Sequence, residues 1–200
     1  MKYTLLPLLA LIVFSGCSTT NPPVREYTIL PPFHPSSDSP SSSSRTLQIA
    51  SVKTVPSLHS KNIIYLKENQ ETGSYLYARW SDTPPAMISR AVGLALEKGE
   101  RFGSVLSPSS SLKPDWILES DLHSFYHRFE SNDRSRGSVD ITFRLIDPSD
   151  KRVIASRRFN ITEEAASADS AGGAAALSEA TLRLAEECAT WITTTLQERL

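Results

Sequence analysis

The chain has 200 residues, a formal net charge of −1 and 40% hydrophobic residues. A nearly balanced charge excludes the strongly basic surface by which proteins grip nucleic acid, and it offers no field for an acidic partner. A length of this order is enough for one domain with a substantial core. Composition therefore favours a single globular domain and leaves its role to the local patterns.

The N-terminus has the pattern of a bacterial lipoprotein signal. Lys2 precedes an apolar stretch from Leu5 to Phe14, which is too short for a permanent transmembrane helix and fits an export signal. Ser15 and Gly16 stand directly before Cys17, as in a lipobox, where the chain is cut before the lipid-modified cysteine. Two or three acyl chains, at about 0.8 kcal/mol per buried methylene, hold a protein on a bilayer. The alternative is an ordinary secreted protein whose signal contains a cysteine.

These features predict a signal peptide over 1–16, a polar tether over 17–24 and a domain over 25–200. Ser18 follows the cysteine where Asp would retain an enterobacterial lipoprotein in the inner membrane, so we predict the outer membrane, facing the periplasm. No later stretch is apolar and long enough to span a bilayer. The acyl anchor is the only lipid contact that the sequence requires.

The sequence of the first half of the domain predicts short strands and one loop. The predicted strands are 25–31, 46–55, 62–67 and 75–80. Residues 35–44, almost all Ser, Pro and Asp, predict a flexible surface loop. Pro56 is expected to end the second strand, and residues 71–74, which include a glycine, are expected to form the turn of a hairpin.

A helix is predicted after this hairpin. Asp82 or Thr83 can cap its N-terminus, proline is tolerated at the first helical position, and Gly99 is a natural stop. A short strand over 102–106 follows. The predicted buried face of the helix consists of Met87, Ile88, Ala91, Val92, Ala95 and Leu96.

The second half predicts an antiparallel meander of three long strands, 116–130, 139–145 and 153–161. Alternation of apolar and polar residues indicates one buried and one solvated face. In the first of these strands the alternation slips near Ser124 and Phe125, which predicts a β-bulge.

The last predicted helix begins near Asp169 or Ser170 and carries a wide stripe of small residues. Such a stripe suits close packing on a sheet; a coiled-coil seam is the alternative. The expected stripe is Ala175, Ser178, Leu182, Ala185, Ala189, Ile192 and Leu196, with Leu177, Leu184 and Trp191 on its flank. Cys188 lies among them and, once Cys17 carries lipid, has no disulfide partner, so we predict that it is buried. The predicted fold class is α+β: a mostly antiparallel sheet packed against two helices in a single domain.

The sequence shows no constellation that favours catalysis. His123 and His127 have the spacing of a helical zinc site, but four residues along a strand separate side chains by about 13 Å. We therefore assign both histidines to the solvated face of the sheet. No serine lies in a nucleophile motif and no glycine loop resembles a phosphate site. We predict a non-enzymatic protein with no catalytic residues, no metal and no cofactor.

The order of these motifs resembles the ABC-type transport auxiliary lipoproteins, which include the lipoprotein of the paraquat-inducible intermembrane transport system. The matching residues are Cys17, Tyr27, Leu30, Pro31, Arg79, Trp80, Pro84, Pro85, Gly99, Phe102, the strand 115–129 and the last helix through Trp191. The insert at 35–44 and the pair Gly172-Gly173 depart from the pattern.

The resemblance implies a non-enzymatic role in lipid traffic between two membranes. The implied partners are a periplasmic MCE-domain protein and, through it, an ABC permease and ATPase; self-association is a further possibility. The implied partner-binding residues are Tyr27, Leu30, Pro31, Arg79 and Trp80.

Alternatives remain open at this point. Tyr27 and Trp80 could instead pack in the core, and Arg79 could pair with a neighbouring carboxylate. The main functional alternative is a lipoprotein that assembles outer-membrane barrels or binds the cell wall; a periplasmic hydrolase is another.

Overall fold

The computed structural model describes residues 22–31, 44–99, 101–131 and 133–198. The predicted signal peptide, Cys17 and most of the tether and of the 35–44 loop lie outside these residues. The strands are β1 (Arg25–Tyr27), β2 (Thr46–Ile49), β3 (Lys53–Thr54), β4 (Asn62–Leu66), β5 (Thr72–Trp80), β6 (Ser104–Leu106), β7 (Trp116–Phe129), β8 (Ser135–Asp147) and β9 (Arg152–Glu164). The helices are α1 (Pro84–Lys98) and α2 (Ser170–Gln197), with a 3₁₀ turn at Pro56–His59.

The described strands form one nine-stranded sheet organised around β7. One edge of β7 pairs with β8, which pairs with β9, and both pairings are antiparallel as predicted. The other edge pairs in turn with β2, β3 and β4, all parallel to β7. β5 is antiparallel to β4, while β1 and β6 add parallel strands at β5 and β2. The α+β class is confirmed, and the sheet is mixed because its short strands run parallel.

The bulge predicted in β7 is present and reverses one expectation. The register with β8 shifts between Leu122 and Ser124, so that Phe125 and His127 continue the buried face begun by Leu118. His123 lies on the solvated face, where its Nε2 is 2.8 Å from the Thr142 hydroxyl. His127, by contrast, has 0% exposure. Placing it on the solvated face was wrong, because one extra residue changes the side of every later side chain.

Helix α1 has the predicted ends and the predicted face. Thr83 is its N-cap residue and Gly99 its C-cap residue, although the Thr83 side chain makes no capping hydrogen bond. Asp82 Oδ1 instead accepts a hydrogen bond of 2.8 Å from the Thr83 backbone N–H. Except for the partly buried Ala95, the residues of the predicted face are buried in the hydrophobic core.

Helix α2 begins where predicted, and its buried face is shifted from the predicted stripe toward the predicted flank. Asp169 Oδ1 accepts backbone hydrogen bonds of 2.9 Å from Ala171 and Gly172. Leu177 and Leu184 of the flank are 0% exposed, Ala185 and Ile192 of the stripe are also buried, and Ala175 is exposed. A helix rich in alanine presents several faces of similar size, so periodicity alone did not fix the centre of the buried face. Cys188 is fully buried, which confirms its predicted environment.

The hairpin of β4 and β5 is confirmed, but its turn is not at residues 71–74. The chain reverses at 68–70, where Gln70 adopts a positive φ of 65° and the Lys67 N–H donates to the Glu71 carbonyl. Gly73 lies within β5, where an added Cβ would come 2.3 Å from the Tyr65 hydroxyl. The glycine therefore serves close packing rather than the turn. The predicted strand 46–55 is also divided, into β2 and β3.

Candidate docking surfaces

The structure brings three of the five predicted partner-binding residues together where β1 meets β5. Glu26 pairs with Arg79, and Tyr27 with Trp80, in the parallel register. Arg79 Nη2 lies 2.9 Å from Glu26 Oε2, and both side chains are about half exposed. Exposed ion pairs of this kind contribute at most about 1 kcal/mol. Arg79 thus pairs with a neighbouring carboxylate, which was the alternative to partner binding. The pair is weak enough for Arg79 to exchange Glu26 for another carboxylate.

Trp80 is not part of an accessible surface. Its side chain is 1% exposed and packs edge-to-face against Phe125 with 5.7 Å between ring centroids. The partner-binding assignment of Trp80 is corrected here, because a fully buried indole has no surface to offer. Tyr27 is half-buried against the core.

The other two predicted residues, Leu30 and Pro31, lie beyond the end of β1. Leu30 is 71% exposed. Pro31 lines a groove of about 550 Å³ between α1 and α2, together with Leu94, Leu182 and Ala189. The predicted residues are therefore divided between the β1–β5 edge and the mouth of this groove.

A bulge in β5 creates an apolar surface that our sequence analysis missed. Asn62 pairs with Arg79 and Ile64 with Ser74, so β4 advances by two residues while β5 advances by five. The extra residues push outward, leaving Leu76 82% and Tyr77 46% exposed. The available signal was the run Tyr75-Leu76-Tyr77, since three successive apolar residues cannot share one face of a regular strand.

Behind this bulge lies an aromatic cluster built around the buried His127, with Tyr65, Tyr75 and Phe129 partly buried around it. The Tyr75 hydroxyl is 2.7 Å from His127 Nδ1, and the His127 and Phe129 ring centroids are 4.7 Å apart. Tyr65 packs against both Tyr75 and Phe129. Gly173 of α2 closes the cluster, because a Cβ there would lie 2.4 Å from His127 Nδ1. The cluster thus joins β4, β5 and β7 to the first turn of α2.

Burial keeps the His127 imidazole neutral. It lowers the pKa of His127 to about 4, although the Asp169 carboxylate opposes the shift. Burial also raises the pKa of Tyr75, so its hydroxyl stays protonated and can donate to Nδ1. Among the described residues, Nε2 has no hydrogen-bond partner. An imidazole held this way acts as a packing group with one satisfied nitrogen rather than as a base open to solvent.

The outer face of the long strands carries paired charges. Arg158 Nε donates to Asp140 Oδ1 at 2.8 Å, and Arg144 pairs with Asp121 on the same face. The hydrogen bonds from these arginines hold the pKa of both carboxyls below the usual range. This compensated face offers neither an apolar patch nor an unbalanced field.

Neither a metal-binding cluster nor a membrane-spanning helix occurs in the part of the chain that the structure describes. Within residues 22–31, 44–99, 101–131 and 133–198, no three His, Cys, Asp or Glu side chains gather closely enough to hold a metal ion. No helix in these ranges has the length and apolarity needed to cross a membrane.

Comparison with known families identifies the kind of protein. The model of the ABC-type transport auxiliary lipoprotein component matches residues 27–189. The chain belongs to this family. The family resemblance drawn from the motifs is thereby confirmed, and family membership makes the protein an auxiliary lipoprotein of ABC-type transport, associated with the cell envelope. No curated protein matches the sequence.

Solved structures share the fold. Protein XCC0632 from Xanthomonas campestris is 23% identical, with a TM-score of 0.78 over 88% of this chain and 98% of its own. An uncharacterized protein at 12% identity gives a TM-score of 0.67 over 86% and 99% of the two chains. The hypothetical protein CT253 from Chlamydia trachomatis, at 11% identity, gives 0.52 over 75% and 96%. At these identities the similarity shows the architecture alone.

Proposed function

We propose that this protein is a lipid-anchored periplasmic docking subunit, without enzymatic activity, of an ABC-type system that carries lipid between two membranes. The observation that carries the proposal is the family match over residues 27–189, which spans nearly the whole described domain. The proposed partner is an MCE-domain protein, which connects the subunit to an ABC permease and ATPase.

The docking residues that we propose are Leu30, Pro31, Arg79 and Tyr27. Interface energy concentrates in a few apolar, aromatic and arginine anchors. Leu30, at 71% exposure, would gain about 1.5 kcal/mol if a partner buried it fully. Arg79 would exchange Glu26 for a carboxylate of the partner. These contacts lie along one short segment from β1 to the groove between the helices.

The proposed anchor is Cys17, acylated after cleavage of residues 1–16, in the outer membrane facing the periplasm. Placement on a membrane is what a docking subunit needs in order to present its domain to a partner that bridges the periplasm. The anchor and the docking residues are separate parts of the chain, so they can be tested separately.

The test is purification of the native complex from detergent-solubilised membranes through a C-terminal tag, followed by identification of its members. We expect an MCE-domain protein and an ABC ATPase. Recovery of an outer-membrane barrel in their place would overturn the proposal in favour of an assembly lipoprotein.

Variants of the proposed docking residues test whether the partner binds at this surface. Leu30→Ser with Arg79→Ala should lower recovery of the MCE-domain partner about ten-fold, since losing about 1.4 kcal/mol costs one decade of affinity. Leu112→Ser is the matched control, because Leu112 is 63% exposed and lies in the loop between β6 and β7, away from the β1 edge of the sheet. Equal recovery from both variants would show that the partner binds elsewhere.

A further inference from the structure

Three exposed apolar side chains lie near the point where the tether enters the domain. Val24 is 51%, Leu76 82% and Tyr77 46% exposed. We call Val24, Leu76 and Tyr77 the apolar patch. Leu76 and Tyr77 protrude because β5 carries extra residues between its pairings with Ile64 and Asn62. A bulge that turns two large apolar residues toward solvent gives up their burial, which points to a contact outside the domain.

The strand register places this patch at the entry of the tether. β1 and β5 are parallel, with Arg25 opposite Ala78. Val24 directly precedes Arg25 and Tyr77 directly precedes Ala78, so both lie at the end of the paired segment where the chain enters. Leu30 and Pro31 follow the opposite end of β1. The apolar patch and two of the proposed docking residues, Leu30 and Pro31, therefore lie at opposite ends of this strand, with Tyr27 and Arg79 in the paired segment between them.

The length of the tether limits how far the patch can stand from the anchor. Pro22, the first described residue of this part of the chain, is five residues after Cys17. Fully extended, five residues span roughly 17 Å. If Cys17 carries lipid, the entry of the domain is held within that distance of the bilayer surface.

We infer that the apolar patch rests on the lipid bilayer that anchors the chain. This inference depends on the proposed lipidation of Cys17, but not on the identity of the transport partner. Leucine and valine gain from entering the acyl boundary, and tyrosine suits the interface because its ring is apolar and its hydroxyl stays in water.

The contact is apolar rather than electrostatic. Near the patch, Arg79 pairs with Glu26 and Lys67 with Glu71, at distances of 2.9 and 3.1 Å. The exposed Arg25 and Glu68 beside it carry opposite charges, so the surroundings of the patch have no net charge. Bilayer contact should therefore persist in high salt and on uncharged lipid. It also fixes an orientation: the β1–β5 edge faces the membrane at its entry end, and the groove between the helices faces away from it.

The experiment uses the lipidated full chain in vesicles of phosphatidylethanolamine and phosphatidylglycerol, with lipidation verified by the mass of the N-terminal peptide. Leu76→Cys carries a bimane fluorophore, and Leu112→Cys, at the distant sheet edge, is the control. Buried Cys188 and acylated Cys17 leave the introduced thiol as the labelled one. The quencher is a lipid with a spin label near its headgroup.

We expect roughly two-fold or greater quenching at position 76 relative to position 112, unchanged in high salt, as depth in the interface predicts. Equal quenching at both positions would overturn the inference. So would a position-76 probe that loses solvent exposure only after the MCE-domain partner is added, because that result assigns the patch to a protein. A chain whose N-terminal peptide carries no lipid would refute the anchor and the patch together. Loss of the MCE partner from native complexes refutes the proposed function and leaves the quenching result intact.

Discussion

Replacing His127 should remove most of the acid sensitivity of folding between pH 6.5 and 4. In the unfolded chain a histidine titrates near its ordinary pKa of about 6.5, while burial lowers the pKa of His127 to about 4 in the fold. Between these values the unfolded state binds more protons, so the free energy of unfolding falls as the pH falls. Between the two pKa values the free energy of unfolding falls by about 3 kcal/mol in total, and about 2 kcal/mol of this is lost between pH 7 and pH 5.

The measurement is urea unfolding followed by tryptophan fluorescence at pH 7, 6 and 5, on protein exported without a lipidated cysteine. Trp80, 1% exposed, reports global unfolding because its indole becomes hydrated. His127→Phe keeps an aromatic ring and loses the titrating group, so its stability should be nearly flat across this range. His123→Gln is the control, since that side chain is on the solvated face and should leave the wild-type slope unchanged.

Tyr75→Phe separates the hydrogen bond from the proton equilibrium. It removes the 2.7 Å contact to Nδ1 and should cost about 1 kcal/mol while keeping the pH slope. The carboxyls of Asp121 and Asp140 have lowered pKa values and act below pH 4, so they do not produce the predicted slope. A wild-type slope that survives His127→Phe would refute the assignment of acid sensitivity to this imidazole.

Three further outcomes are expected. In thermal unfolding, Gly137→Ala should destabilise the fold by about 2 kcal/mol or more, because its Cβ would lie 2.5 Å from the backbone carbonyl carbon of Ala176. Gly93→Ala is the control. Its Cβ would meet only Ile49, at 3.4 Å, so this variant should be neutral or slightly stabilising. Native Cys188 should resist a thiol reagent that labels it fully in urea, since burial raises the pKa of its thiol; equal labelling would contradict this. A Cys17→Ala protein exported with a cleavable signal should remain in the periplasmic fraction, and its sedimentation with membranes free of partners would count against a single lipid anchor.

Local chemistry explains the parts of the fold that could be predicted. Helix α1 starts at Pro84 because proline is tolerated at the first helical position whatever packs around it, and Gly99 is its C-cap residue, with a φ of −72°. Asp169 caps α2 through amides two and three residues away. The alternation of apolar and polar residues in β8 likewise predicts a strand without tertiary information, because it requires only that one face is buried and the other solvated.

The predictions that were wrong concern features that depend on pairing and packing between distant segments of the chain. His127 was assigned to the solvated face together with His123, without applying the bulge that was predicted between them; the pairing with β8 shows that this bulge moves His127 to the buried face. The buried face of α2 follows from close approach to the sheet at Gly137 and Gly173, positions remote from each other in sequence. Strand direction in the short strands depends on the path of their connections, about which side-chain alternation says nothing.

The candidate surfaces show the same division between features that local chemistry predicts and features that depend on distant residues. The family, both ends of α1, the start of α2, the meander and the burial of Cys188 could be predicted from the amino-acid sequence, since each follows from residue order or from local backbone and side-chain chemistry. The folded structure was needed to show that Trp80 lies in the core while Leu76 and Tyr77 are exposed, because this depends on how many residues of β5 oppose each residue of β4. Whether a side chain is available to a partner or a membrane is set by its neighbours in space, and those come from distant parts of the chain.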